Sequence, residues 1–327
     1  MRPIFRTTLG RLALGVATLL VVSFIVFGMF ELLPGNFARA VLGQSATPEI
    51  VENFNRRAGL DRPFFERFGV WLWGVVQGDF GISYSSLTAS STGDQDRTVA
   101  SMILPRLENT LFLAAAVAIV AVPLSLGLGL LAALYRGSIF DRVVNAATLT
   151  SISFPEFFIG YILMLFFAVQ LPWFYATSMI ESTTTFWDHL ERIGLPLICL
   201  VLVIVAHMMR MTRAAIINLL ASPFIEMARL KGMPPSRVIW HHALPNAWAP
   251  IATVVGLNLA YLVVGVVVVE VVFAYPGIGR LMVDAVVSRD VPVVQGCAII
   301  FAAVYVLLNL SADIIGIVTN PRLLHPR

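Results

Sequence analysis

Six apolar runs govern what this chain can fold into: about Leu12–Leu33, Thr110–Leu134, Val143–Val169, Leu195–His207, Ile251–Phe273 and Cys297–Val318. A hydrocarbon core about 30 Å thick is crossed by roughly 20 apolar residues in α-helix. In lipid only a helix or a closed barrel satisfies its own backbone polar groups. The fourth run is short and is expected to extend into the polar residues that follow it. Of the 327 residues 58% are hydrophobic and 13% charged, far from the balance of a water-soluble domain. The expectation is an all-α membrane protein with six transmembrane helices.

The basic residues mark the sides of the membrane. Arg2, Arg6 and Arg11 precede the first run, and Arg136 and Arg142 separate the second from the third. Arg210, Arg213, Arg229, Lys231 and Arg237 lie between the fourth and fifth, and Arg322 and Arg327 end the sequence. By the positive-inside rule these segments are cytoplasmic, which places both termini inside. Glu181, Asp188 and Glu191 against Arg192 suit an external loop between runs three and four. A secretory signal is the weaker reading of the N-terminus, because the first run is too long and no small-residue cleavage site follows it. Net charge is only +3, and no nucleic-acid partner is expected.

Residues 1–34 thus hold the first span, 35–108 an external segment, and 109–327 a five-helix core with a cytoplasmic loop at about 210–250. The external segment has two short amphipathic stretches, Glu49–Ala58 and Pro63–Val76, a Gly78-Asp79-Phe80-Gly81 turn, and a Ser/Thr/Asp-rich stretch, Ser85–Arg97, expected to be mobile. In the cytoplasmic loop Met208–Leu230 has helical character, Gly232 can turn the chain, and Pro234-Pro235 suits the start of a second helix.

That loop reads Glu226-Met227-Ala228-Arg229-Leu230-Lys231-Gly232, then, after nine residues, His242-Ala243-Leu244-Pro245. A short surface helix closed by a flexible glycine would present Glu226, Arg229 and Lys231 for polar specificity, with small Ala228 allowing close approach of a partner. The competing reading is a solvated basic loop that only fixes topology. Charge alone, however, does not require Glu, Ala, Gly and Leu-Pro at this spacing. Lys231 is the sole lysine and precedes a glycine, so the Gly-Lys-Ser/Thr phosphate loop of an ATPase is absent. The five histidines show no metal-binding spacing, and Cys199 and Cys297 lie in apolar runs as small hydrophobes.

The E-x-A-x3-G-x9-h-x-L-P pattern resembles the cytoplasmic loop of ABC importer permeases. Gly59-Leu60-Asp61-Arg62-Pro63, Gly78–Ser83 and Arg106-Leu107-x-Asn109-Thr110-Leu111 resemble the dipeptide/oligopeptide permease type, in particular the first permease of such systems. So do Glu270-x-x-Phe273-x-x-Pro276-Gly277-Ile278-Gly279 and Arg289-Asp290-x-Pro292-x-x-Gln295-Gly296. Two departures stand out: Asn320-Pro321-Arg322 replaces the family's Asp-Pro-Arg, and Gly316 stands where an aromatic is usual.

The resemblance implies a type I-like importer fold in a bacterial inner membrane. It also implies a second permease subunit, two ATPase subunits or domains that carry the ATP and Mg, and a periplasmic or lipid-anchored solute-binding protein, with membrane lipid around the spans. The chain itself would need no cofactor and would be no enzyme. Peptides are the expected solutes, with nickel, sugars or opines as alternatives of the same family.

Ionisable groups inside spans are candidates for function. Glu156, mid-span beside the helix-kinking Pro155, is a candidate for the translocation path or for pairing with the partner permease, and Asn258 and Tyr261 are weighed with it, helix packing being the competing role. Glu270 and Asp313 lie nearer span ends, where a charge can reach the interface. Glu270 with Phe273, Pro276, Gly277 and Gly279 is read as shaping an external turn or gate, joined by Arg289 and Asp290. An intramembrane enzyme would need a Ser/His constellation, for which His207 is only a scattered candidate, and a secondary transporter would show inverted repeats.

Overall fold

The computed structural model describes residues 2–31, 37–43, 46–89, 97–180, 183–234 and 237–318, which are helical nearly throughout. The elements are α1 (Arg2–Glu31), α2 (Phe37–Leu42), α3 (Pro48–Arg57), α4 (Phe64–Gln77), α5 (Tyr84–Ala89), α6 (Val99–Leu134), α7 (Ile139–Ser153) and α8 (Glu156–Met164). They continue with α9 (Phe186–Arg192), α10 (Gly194–Leu220), α11 (Pro223–Leu230), α12 (Leu244–Val272), α13 (Ile278–Val287) and α14 (Val291–Val318). Wider π-turns extend α8 over Leu165–Gln170 and lead into α12 over Val238–Ala243.

Among the described residues five helices are long and apolar enough to cross a bilayer: Thr8–Glu31, Val99–Leu134, Gly194–Leu220, His241–Val263 and Val291–Gly316. The sixth span differs from expectation. Instead of one kinked helix over Val143–Val169, α7 and α8 meet at 101°. The cause is local: the ring of Pro155 pushes the preceding residue out of the α region, and Phe154 is extended at φ −101°, ψ 139°. Glu156 therefore opens a new helix at the break rather than sitting mid-helix.

The fourth span runs on to Leu220, well past His207. The expected helix Met208–Leu230 is divided at Ala221-Ser222, before Pro223. α6 begins at Val99, so its first turns reach into the segment expected to lie outside. Ser85–Ala89 is helical rather than loop, whereas Ser90–Asp96, Leu33, Glu181, Pro235 and Asn320-Pro321-Arg322 lie outside the described residues.

α10 is the central strut. Its Leu200, Ile204 and Met208 pack on Leu113, Val117 and Ala121 of α6, with Val266 and Val269 of α12 completing the core. Small residues bring the helices together where lipid supplies no hydrophobic drive between them. A Cβ on Gly129 would stand 2.8 Å from Thr212 and 2.9 Å from the Met209 carbonyl, and one on Gly256 would stand 2.0 Å from the Cβ of Ala312 in α14. Gly256→Ala is thus expected to lower the thermal unfolding midpoint of the solubilised protein, with about 1–3 kcal/mol of overpacking strain. Gly127→Ala, whose Cβ would meet nothing within 4 Å, should leave the midpoint unchanged.

Arg213, one of the basic residues that mark topology, forms a charge pair inside the bundle. Arg213 donates from Nε and Nη2 to the two carboxylate oxygens of Asp141 at 2.7 and 2.8 Å, and Asp141 also accepts from the Gly137 N–H. It clamps the start of α7 to α10. Asp313 likewise pairs with Arg11, at 2.8 Å, between α14 and α1.

The segment between the first two long helices has its own small core of Ala38, Val51, Phe54 and Leu87. α4 stands apart from it: Phe64, Phe68 and Trp71 stack on Phe24 and Phe27 of α1 with ring centroids 5.3–5.8 Å apart.

Candidate functional site

Three constellations collect the residues singled out in the sequence. The first is the loop between the fourth and fifth spans. Ser222 is extended and Pro223 follows at the first helical position, so α11 starts where proline's missing N–H is harmless. Gly232, at φ +75°, ends it in the left-handed conformation that glycine adopts without strain. Ile225 and Ala228 are buried against Val238 and Ala243, with Leu219, Leu220 and Met233 around them.

Ala228, only 5% exposed, therefore belongs to the loop's own core and is not a landing spot for a partner. Spacing of three puts it on the same inward face as Ile225. The outward face carries Glu226, Arg229 and Lys231, and beside them three apolar side chains not singled out from the sequence: Phe224, Met227 and Leu230, the last 75% exposed. Their signal was present as apolar residues at intervals of three that the inward face did not use. Leu244 and Pro245 lie in the first turn of α12, Leu244 half-buried and Pro245 exposed.

The second constellation is a cavity of about 370 Å³ at the α7–α8 break, lined by Ser151, Phe154, Glu156, His207, Tyr261 and Gly265 among others. Tyr261 donates its hydroxyl to Glu156 Oε1 at 3.2 Å, and the His207 ring centroid lies 5.7 Å from that of Tyr261. A Cβ on Gly265 would stand 3.3 Å from Glu156 Oε2, so the glycine leaves the carboxylate its room. Asn258 does not join them. It is buried and donates to the Val254 carbonyl at 2.8 Å.

The third is the turn after α12. Glu270 does not reach an interface: it is fully buried. Its carboxylate accepts from the Thr110 hydroxyl at 2.5 Å and from the N–H groups of Gly279 and Arg280 at 2.8 and 3.1 Å. Thr110 in turn accepts from the Ile278 N–H at 2.9 Å. The first three N–H groups of α13, which no helical carbonyl can reach, are thus all satisfied, with the negative charge at the positive end of the helix dipole.

A Cβ on Gly277 would stand 2.0 Å from Glu270 Oε1, so only glycine admits the carboxylate. Pro276 accepts from Asn109 at 2.9 Å, and Phe273 and Tyr275 are fully buried. The Tyr275 hydroxyl donates to the Asn109 carbonyl at 2.7 Å and lies 3.0 Å from His189 Nε2, whose imidazole burial holds below its ordinary pKa and so uncharged at neutral pH.

Asp290 repeats the device. Almost fully buried, it accepts from the hydroxyls of Ser83 and Ser85 at 2.5 and 2.6 Å and from the N–H groups of Tyr84 and Ser85 at 2.9 and 3.1 Å. It caps α5 and ties the segment between the first two long helices to the start of α14. Arg289 precedes it with a positive φ of 58°. These two carboxylates each tie the start of a helix to a distant part of the chain.

Sequence relatives identify the family. Residues 125–325 match the family of binding-protein-dependent transport system inner membrane components, and residues 2–114 match that family's N-terminal membrane component. The chain is 35% identical over 318 residues to a probable peptide ABC transporter permease protein, y4tP, of Sinorhizobium fredii, covering 96% of this chain and 98% of the relative. It is 35% identical over 306 residues to the glutathione transport system permease protein GsiC of Escherichia coli K12, covering 94% of each. With matches over nearly its whole length, on a helical fold with five long apolar spans and a bent sixth, this chain belongs to the family of membrane permease components of binding-protein-dependent ABC importers.

Proposed function

We propose that the chain is one of two permease subunits of an importer for peptides or similar small solutes. In this reading both termini and α11 lie in the cytoplasm, and α11 docks one of two ATPase subunits. A solute-binding protein, free in the periplasm or lipid-anchored, delivers to the outer face. The observation that carries the docking role is the seating of α11. Its inner face is packed on the end of α10 and the π-turn leading into α12, while its outer face offers Phe224, Glu226, Met227, Arg229 and Leu230 to a partner. A push on this helix is transmitted to the fourth and fifth spans together. The peptide solute rests on the two relatives, named for peptide and glutathione transport.

Glu156, with Tyr261 and His207 beside it, faces the solute path. A carboxylate at membrane depth suits the protonated amino end of a peptide. Glu156→Ala should reduce uptake about tenfold, the equivalent of losing roughly 1.4 kcal/mol of charge-assisted contact, while assembly with the ATPase and its basal hydrolysis persist. Uptake and solute-stimulated hydrolysis, both unchanged in a correctly inserted variant, would remove Glu156 from the path. Mass spectrometry of the ligand carried by the cognate binding protein tests the solute class separately, and a bound metal or sugar would overturn the peptide reading.

A further inference from the structure

The external segment is not all external. α4 was expected to be one of two short amphipathic stretches of a folded piece outside the membrane. Its exposed surface, however, is apolar over most of its length. Phe65 is 76% exposed, Val70 59%, Trp73 66% and Val76 72%, with Gly69 between them. These positions fall on one side of the helix, and no charged residue occurs from Phe68 to Gln77. A contiguous apolar face of this kind on a water-exposed domain calls for a cover.

Position on the membrane span says what the cover is. α4 meets α1 through Phe64, Arg67, Phe68 and Trp71, which touch Phe24, Phe27 and Glu31. Arg67 pairs with Glu31, the last residue of α1, at 2.5 Å, which marks the polar level. Phe24 lies seven residues earlier, about 10 Å deeper at 1.5 Å per residue. A helix lying flat in the membrane interface sits about 5–10 Å into the boundary between headgroups and acyl chains. The depth fixed by the Phe24 contact matches it. Glu66 and Gln77, at the two ends of α4, are exposed and polar, and Trp73 is the side chain that favours this layer. Beyond Gln77 the chain turns sharply back: Gly78 has a φ of +82°, and a Cβ on Gly74 would stand 2.8 Å from the Asp79 carbonyl oxygen.

We propose that α4 is an in-plane membrane anchor, its Phe65–Trp73–Val76 face immersed in the outer leaflet and its Phe64–Phe68–Trp71 edge stacked on the first span. It holds the polar external helices and the Asp290-capped joint at a fixed height over the outer mouth. The occupant of the face is lipid, not a protein surface.

Nitroxide labels at Phe65→Cys, Trp73→Cys and Val76→Cys test this in the full-length chain, reconstituted with its co-purifying subunits into phosphatidylethanolamine/phosphatidylglycerol vesicles. The three side chains project away from the protein, and the native Cys199 and Cys297 are buried, so labelling is selective and leaves internal packing alone. Dissolved oxygen should broaden all three labels strongly, with a water-soluble nickel chelate several-fold less effective than at control labels on the exposed, polar α3 positions Glu52→Cys and Arg56→Cys. A nickel chelate reaching the three positions as freely as the controls overturns the proposal in favour of an aqueous face. Protection from both reagents overturns it in favour of a protein cover such as the second permease.

Discussion

Glu270→Ala is expected to cost this protein more folded material than any other single truncation of a polar side chain. The carboxylate is fully buried and serves three donors, the Thr110 hydroxyl and the N–H groups of Gly279 and Arg280. Each buried donor left without an acceptor costs about 1–3 kcal/mol. Three of them amount to several kcal/mol, a large share of a typical stability of about 5–15 kcal/mol. Alanine also leaves a void beside Gly277, whose missing Cβ made room for the carboxylate.

Chromatographic profiles and thermal midpoints of the solubilised protein should show Glu270→Ala largely aggregated or sharply destabilised. Glu270→Gln should be intermediate, since its amide keeps one acceptor and turns a donor toward the helix end. Thr110→Val should be milder, removing one of the three donors to Glu270 and the acceptor of the Ile278 N–H, and should add little on top of Glu270→Ala because both act through one network. An alanine variant as stable as the parent would contradict the cap.

The spans were legible in the sequence because apolar runs of span length have one physical outcome in lipid. Their ends were less so. Pro155 announced a bend, but whether it kinks a helix or breaks it depends on Phe154 giving up helical geometry, which the run's continuous hydrophobicity conceals. The fourth span reads short at His207 because Arg210 and Arg213 interrupt it, yet the helix continues, since Arg213 finds Asp141 across the bundle.

Asp290 and Glu270 were visible as motif residues, but their work is to cap helices starting more than two hundred residues upstream in one case and eight downstream in the other. No local pattern reports the first. Periodicity would have separated the two faces of α11, placing Ile225 and Ala228 inward and Met227 and Leu230 outward. Ala228, read as letting a partner approach closely, lies inside the loop, because smallness fits a tight internal contact as well as an external one.

That division of faces decides how the docking role can be broken without breaking the fold. Glu226→Arg and Leu230→Asp alter exposed side chains and leave Ile225, Ala228, Val238 and Ala243 in place, so insertion and thermal stability should be unchanged. If α11 is the seat of the ATPase, each replaces a central contact worth about 2–4 kcal/mol by a repulsive or unsatisfied one. At about 3 kcal/mol docking weakens roughly a hundredfold. The ATPase should fail to co-purify and ATP-driven uptake should fall to background. Gly232→Glu should do the same for a second reason, since a residue with a Cβ is strained at φ +75°, whereas Gly232→Asn, which tolerates that conformation, should retain most coupling. Ala228→Asp is the contrasting case: a charge forced into the loop's own core should unfold the loop and lower stability as well as uptake. Uptake and co-purification surviving in correctly inserted Glu226→Arg and Leu230→Asp would leave α11 as a basic loop that fixes topology alone. Loss of coupling in the outward variants with stability intact, against loss of both in Ala228→Asp, is the pattern that only a docking helix with one face committed inward produces.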